Sequence, residues 1–161
     1  MEAVEEAVEK GRGCRCVDQP FKRRDFERLP SGAVSGRTRA MLKIQDGCVN
    51  FCTYCIIPYT RGRLRLPMPE AVEETRRLAG LGYRELVLTG IEVASYGLDL
   101  PGHPGLADVV CAVAEAAGEM RIRLSSLEPT VITEDFCRRL AATAGSAAIF
   151  TCRSSPAATG L

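Results

Sequence analysis

The sequence predicts an α/β fold, a parallel sheet with crossover helices, on three observations. Short apolar runs alternate with longer amphipathic stretches, giving strand, helix, strand, helix, strand, helix between residues 39 and 143. The middle run, E-L-V-L-T at 85–89, lacks polar/apolar alternation, which suits a strand covered on both faces. Segments rich in cysteine, glycine or polar residues follow the strands directly, so they collect on one rim, at the strand ends where parallel sheets build their sites.

The elements follow in order. Residues 1–38 read as a short acidic helix (2–10) and an irregular linker punctuated by Gly11, Gly13, Pro20, Pro30, Gly32 and Gly36. The core, 39–143, opens with a strand over 40–44 that ends at Gln45-Asp46-Gly47 and runs into a cysteine-bearing loop. Pro67 and Pro69 lead into a helix over 70–81 closed by Gly80 and Gly82. The strand 85–89, a Gly-rich loop from Gly90 to Gly105 and a helix over 106–117 come next. A strand over 121–125 and a helix over 134–142, capped by Thr133, complete the series. Residues 144–161 shift to Ala, Ser and Thr, and the reading there is an irregular tail with no strand.

The 161 residues suit one domain or part of a larger one, and 46% hydrophobic with 25% charged residues is a globular composition. A net charge of +1 excludes a global basic signature for nucleic acid. Two local basic runs remain: Lys22-Arg23-Arg24, read as a solvated face, and Arg61 to Arg65, which follows the cysteine loop. No stretch approaches the roughly 20 apolar residues of a membrane helix, and the acidic start does not resemble a signal peptide. The expected compartment is the cytoplasm, with no membrane partner. There, eight cysteines are expected to be ligands or buried thiols rather than disulfides. With His103 as the single histidine, a Cys/His zinc site has little support. Cys14 and Cys16 form a C-x-C pair in the linker with no third ligand nearby, and Cys111 and Cys137 fall on helices as core thiols.

Cys48-x-x-x-Cys52-x-x-Cys55 places three thiols within eight residues. A curled loop of that spacing can aim all three sulfurs at one centre, as thiolates hold iron–sulfur clusters. Three protein ligands leave one iron open, and an open metal position marks a reactive centre rather than a structural one. The alternatives fit less well. Zinc requires a fourth ligand, a redox C-x-x-C leaves Cys48 idle, and a bacterial ferredoxin run is tighter and ends in Cys-Pro where this chain has Cys55-Ile56.

Cys-x-x-x-Cys-x-aromatic-Cys after a first barrel strand resembles the radical S-adenosylmethionine (SAM) superfamily. The wider sequence, L-K-I-Q-D-G-C at 42–48, C-I-I-P-Y-T-R-G at 55–62, E-L-V-L-T-G-I at 85–91, S-Y-G at 95–97 and R-I-R-L-S-S-L-E-P at 121–129, is similar to its methylthiotransferase branch over about residues 37–140. Within the branch it most resembles enzymes that methylthiolate threonylcarbamoyladenosine beside the anticodon of tRNA. The resemblance implies a [4Fe–4S] cluster on Cys48, Cys52 and Cys55, with SAM bound through its amino and carboxylate groups to the open iron and cleaved to a 5′-deoxyadenosyl radical. It implies Tyr54 near the adenine, Gly90 at the SAM amino group, and Ser126 and Glu128 at SAM or substrate. A tRNA anticodon loop is the implied partner, met through phosphates by Arg61, Arg63 and Arg65, and an electron donor is implied as a second. Gly90 also reads as a turn glycine, Glu128 as a cap, and Arg63 and Arg65 as solvated loop residues. Glu92 stands where His or Asn is expected, and His103 is expected to be inert.

The family implies that the parallel sheet is a partial (β/α) radical SAM barrel, and it implies more chain than is present: a preceding domain with three further cysteines, the rest of the barrel, and a small β domain that binds RNA. At residues 149–161, relatives are expected to show a fourth strand resembling H-F-H-L-P-L-Q-S-G. Codons for residues 149–161 can be chosen that read H-F-H-L-P-L-Q-S-G-C-D-G-V in the frame one base upstream, so a frameshift near residues 142–145 is expected, with Cys152 an accident of frame. Two other functions stay open: a radical SAM reaction on another substrate, and a truncated, catalytically inactive cluster-binding fragment.

Overall fold

Three strands with apolar cores build the sheet: β1 (Arg39–Lys43), β4 (Glu85–Thr89) and β5 (Arg121–Leu127). In this computed structural model, which describes residues 37–143 and 149–152 together with 5, 8–11, 22 and 25–28, β4 lies between β1 and β5 and both pairings are parallel. Central β4 buries Leu86, Val87 and Leu88 in succession, the two-sided burial its lack of alternation predicts. Flanking β1 alternates, with Ala40 and Leu42 buried and Met41 exposed.

Two helices cross over between these strands, as parallel pairing requires, and a third follows β5. Between β1 and β4, the helix Met68–Gly80 begins two residues before the expected 70, because Pro69 fits the first turn, where no N–H is needed. It buries Ala71, Thr75 and Leu78, one stripe at helical spacing. The helix Leu106–Ala117 buries Leu106, Val109, Val110, Val113, Ala114 and Ala117, and it starts where Asp108 accepts from Gly105 N at 2.6 Å. The helix Glu134–Ala142 is capped as expected, with the Thr133 hydroxyl accepting from Phe136 N at 3.2 Å. These helices and the sheet enclose one core, which includes Ile44, Leu78, Leu86, Leu88, Ile122, Leu124 and Leu127.

Four features depart from the sequence reading. A two-stranded antiparallel ribbon, β2 (Gln45–Gly47) with β3 (Arg63–Arg65), flanks the cysteine loop, and a short helix, Ile57–Arg61, lies within that loop. Neither Q-D-G nor R-L-R has strand composition, and pairing alone makes them strands. Strand β5 continues two residues past the expected Ser125, so Ser126 and Leu127 belong to it. Residues 149–152, expected to be irregular, form β6 (Ile149–Cys152), parallel to β5 with Ile149 beside Arg123 and Phe150 beside Leu124. I-F-T-C is rich in strand-forming residues, and the edge of β5 offers it a partner. Cys137 is exposed and Cys111 only half-buried, so neither is the core thiol expected. Cys14, Cys16, Arg23, Arg24 and most of the 2–10 helix lie outside the described residues; residues 5 and 8–10 are helical.

Glu85, on the central strand, gathers the charges of its neighbours. Its carboxylate lies 2.6 Å from Arg39 Nε on β1, and 3.1 Å from Arg123 Nε and 3.8 Å from Arg121 Nη1 on β5. Burial alone would raise its pKa, but Arg123 and Arg39 outweigh burial and hold the carboxyl below the usual glutamate range. A depressed carboxyl contributes stability that is complete above the unfolded pKa and drains away as the pH falls through the folded one. Glu85→Gln is therefore expected to cost about 1 kcal/mol at neutral pH. That deficit should shrink on acidification, as read by urea titrations at several pH values. An equal deficit at all pH values would refute the clamp.

Candidate active site at the strand ends

The cysteine loop, residues 48–62, is the excursion between β2 and β3, so its two ends are held together by the ribbon. At that neck Gly47 has φ +78° and Gly62 has φ +71°. A Cβ on Gly47 would overlap the Gly62 carbonyl, so glycine is required there for close approach as well as for conformation. Gln45, fully buried, ties the neck in two directions. Its Nε2 donates to Gly47 O at 2.5 Å, and its Oε1 accepts from Glu92 N at 2.9 Å in the loop after β4. Asp46 Oδ1 accepts from Gly47 N at 2.9 Å, while Oδ2 pairs with Lys43 at 3.2 Å and Arg61 at 3.5 Å.

The structure brings together the segments that the sequence placed on one rim. Asn50, between the first two cysteines, donates from Nδ2 to Glu128 Oε1 at 3.1 Å, joining the loop to the end of β5. Glu128 makes no cap to the 3-10 turn Pro129–Val131 that follows it, so the capping alternative is set aside. Gly90 directly follows β4 and lies against Gln45, whose Oε1, O and Cβ would lie 2.7–2.9 Å from a Cβ at that position. Its glycine thus has a packing reason. Ser126 lies on β5, in the stretch where the β5–β6 register shifts, and Ser125 Oγ donates to Thr89 Oγ1 at 3.0 Å between the ends of β5 and β4.

Cys48 and Cys55 are partly buried and Cys52 is exposed, and all three are free thiols. Burial, then the charges of Glu92, Cys52 and Cys55, push the Cys48 thiol up, against a hydrogen bond from Asn50 N. Cys55 N donates to Cys52 O at 2.9 Å, closing a turn between the last two cysteines. Among the described residues no three or more Cys, His, Asp or Glu side chains are grouped to hold a metal ion, so the thiols share a loop without being drawn to a point. The donor set nonetheless fits an iron–sulfur cluster in kind: three unpaired thiols carried by eight residues of an anchored loop.

Three residues behave differently from their sequence reading. Arg65 is neither solvated nor free for phosphate. Its side chain is 1% exposed, pairs with Asp99 at 3.1 Å, and donates from Nη2 to Ser95 O and Oγ at 3.1 and 2.7 Å. Glu92, left without a role by the sequence, caps the 3-10 turn Val93–Ser95 by accepting from Ser95 N at 3.2 Å. Burial, then the charge of Glu128, raise its pKa. Tyr96, quoted only as part of a motif, is buried and donates to Leu66 O at 2.7 Å, and burial pushes its phenol far up. Arg65, Ser95 and Tyr96 thus fasten the loop after β4 to β3. Arg61 and Arg63 are exposed beside the cysteine loop, Tyr54 is largely exposed on it, and exposed His103 contacts Leu98 O at 3.0 Å. Arg65→Ala, which strands Asp99 and Ser95 without their partner, is expected to cost about 3 kcal/mol. Arg65→Lys should cost about 1–2 kcal/mol, since one ammonium cannot span both partners. Equal stability of Arg65→Ala and wild type in chemical denaturation would refute the role.

No family model matches the chain. It is 44% identical over 121 residues, 74% of its length, to the threonylcarbamoyladenosine tRNA methylthiotransferase MtaB of Bacillus subtilis, of which it covers 27%. The chain belongs to the methylthiotransferase family. It is also 38% identical over 140 residues to the MtaB of Chlamydia pneumoniae, covering 32% of that protein. To the tRNA-2-methylthio-N(6)-dimethylallyladenosine synthase of Carboxydothermus hydrogenoformans it is 44% identical over 98 residues, covering 22%. The chain therefore spans between about a quarter and a third of the curated MtaB relatives it matches. Among its described residues no helix is long and apolar enough to cross a membrane.

Proposed function

We propose that the chain carries the radical SAM core of an enzyme that transfers a methylthio group to C2 of threonylcarbamoyladenosine in a tRNA anticodon loop, in the cytoplasm. One juxtaposition carries the reading: a loop with three free thiols is tied to the ends of β4 and β5 through Gln45 and Asn50. The names of the relatives support the class of substrate.

Cys48, Cys52 and Cys55 would hold a [4Fe–4S] cluster, which when bound supplies the electron, received from an external donor, that cleaves SAM. The chain's own residues bind and orient. Gln45 and Gly47 fix the neck of the loop, and Asn50 with Glu128 fixes its first turn against the end of β5. Tyr54 offers a ring beside the third thiol for an adenine. Gly90 and Ser126, at the ends of β4 and on β5, lie on the same rim for SAM. Arg61 and Arg63 present exposed cations for phosphates.

The test is nucleoside mass spectrometry of tRNA from a strain lacking methylthiolation that expresses a full-length methylthiotransferase containing this sequence. Methylthio-threonylcarbamoyladenosine is the expected product. Methylthiolated dimethylallyladenosine alone, or no methylthio nucleoside, would overturn the substrate assignment.

A further inference from the structure

We infer that Phe51 and Tyr59 form a stacking platform for an unpaired RNA base, a role distinct from that of Tyr54; the inference rests on the tRNA reading above. The two rings meet edge to face, with centroids 5.5 Å apart and planes at 80°. Phe51 is 47% and Tyr59 59% exposed, so the pair stands at the surface instead of joining the core. Exposed aromatic pairs are costly in water, and they are how proteins hold unstacked bases.

The backbone is arranged for this placement. Phe51 has φ +47°, a left-handed conformation unusual for an aromatic residue. Tyr59 sits on the short helix Ile57–Arg61, across the turn closed by Cys55 N and Cys52 O. The platform thus flanks the thiols, with Phe51 adjoining Cys52. A ring in an edge-to-face pair keeps a face free for a third aromatic plane.

Charge selects the occupant. Arg61 and Arg63 are exposed at the C-terminal foot of the same loop, and among the described residues Asp46 alone offsets them, at 3.5 Å from Arg61. Aromatic rings beside exposed guanidinium groups match single-stranded nucleic acid, in which base stacking and phosphate pairing go together. An apolar protein face would gain nothing from these arginines.

The test uses the full chain and an RNA hairpin with 2-aminopurine in its loop, whose fluorescence falls on stacking. Wild type is expected to bind with quenching. Phe51→Ala and Tyr59→Ala should each weaken binding by about tenfold and abolish most of the quenching. Phe51→Leu should behave like Phe51→Ala, because it keeps the apolar volume but loses the ring. Phe51→Tyr should retain wild-type behaviour. Arg63→Ala should weaken binding and lower the salt slope by about one while keeping the quenching. Both rings are at the surface, so folding, checked by circular dichroism, should be unaffected. Unchanged quenching in Phe51→Ala and Phe51→Leu overturns the platform while RNA binding by wild type stands. Self-association that depends on Phe51, with quenching unchanged, also overturns it. Absence of hairpin binding by wild type overturns both the platform and the tRNA reading.

Discussion

Cys52→Ala is expected to remove nearly all the iron that anaerobic reconstitution places on the wild-type chain, about four atoms for a [4Fe–4S] cluster. Cys52 is the exposed member of the trio, so losing its thiol leaves no cavity, and a loss of iron reports ligation and not unfolding. Cys137, also exposed but on the helix Glu134–Ala142, is the control, and Cys137→Ala should keep its iron. Iron content and brown absorbance in Cys52→Ala equal to wild type would sink the ligand assignment.

Gly47→Ala is expected to cost about 3 kcal/mol or more and to lower cluster loading in parallel. Two effects add. The alanine must occupy φ near +78°, and its Cβ would overlap the backbone carbonyl of Gly62 across the neck. Backbone, unlike the tip of a flexible side chain, has nowhere to yield, so the ribbon must open. Opening also loosens the bonds of Gly47 to Asp46 and Gln45, and through Gln45 the link to Glu92. Gly80→Ala is the contrast: nothing lies within 4 Å of a Cβ there, and alanine favours the helix. Denaturant unfolding and iron content would check both. A Gly47→Ala protein with wild-type stability and iron would mean that the neck does not shape the loop.

The alternation of strands and helices was legible because each element carries its own pattern. The residues buried in Leu106–Ala117 repeat at helical spacing, and Thr133 announces the helix it caps. The cysteine trio was legible because its spacing is chemical information within one loop. The ribbon β2–β3 was not, since Q-D-G and R-L-R become strands only by meeting each other. Nor was the burial of Arg65, whose partners Asp99 and Ser95 lie some thirty residues on. Read in isolation, R-G-R-L-R suggests a row of equivalent cations. Long-range pairing with Asp99 and Ser95 divides it into exposed Arg61 and Arg63 and buried Arg65. Gln45 illustrates the same limit: its two hydrogen bonds hold the site together, yet a lone glutamine at a strand end carries no signal of that. The strand Ile149–Cys152 was missed because an Ala/Ser/Thr-rich context hid three good strand formers, Ile149, Phe150 and Thr151.

The central claim, that three thiols of one loop hold a cluster with an open position for SAM, is tested most directly by electron paramagnetic resonance of the reduced, reconstituted chain before and after SAM is added. The account predicts a [4Fe–4S] signal whose g-values shift with SAM, and no such signal from Cys52→Ala. A signal that SAM leaves unchanged, or one retained in Cys52→Ala, would contradict it.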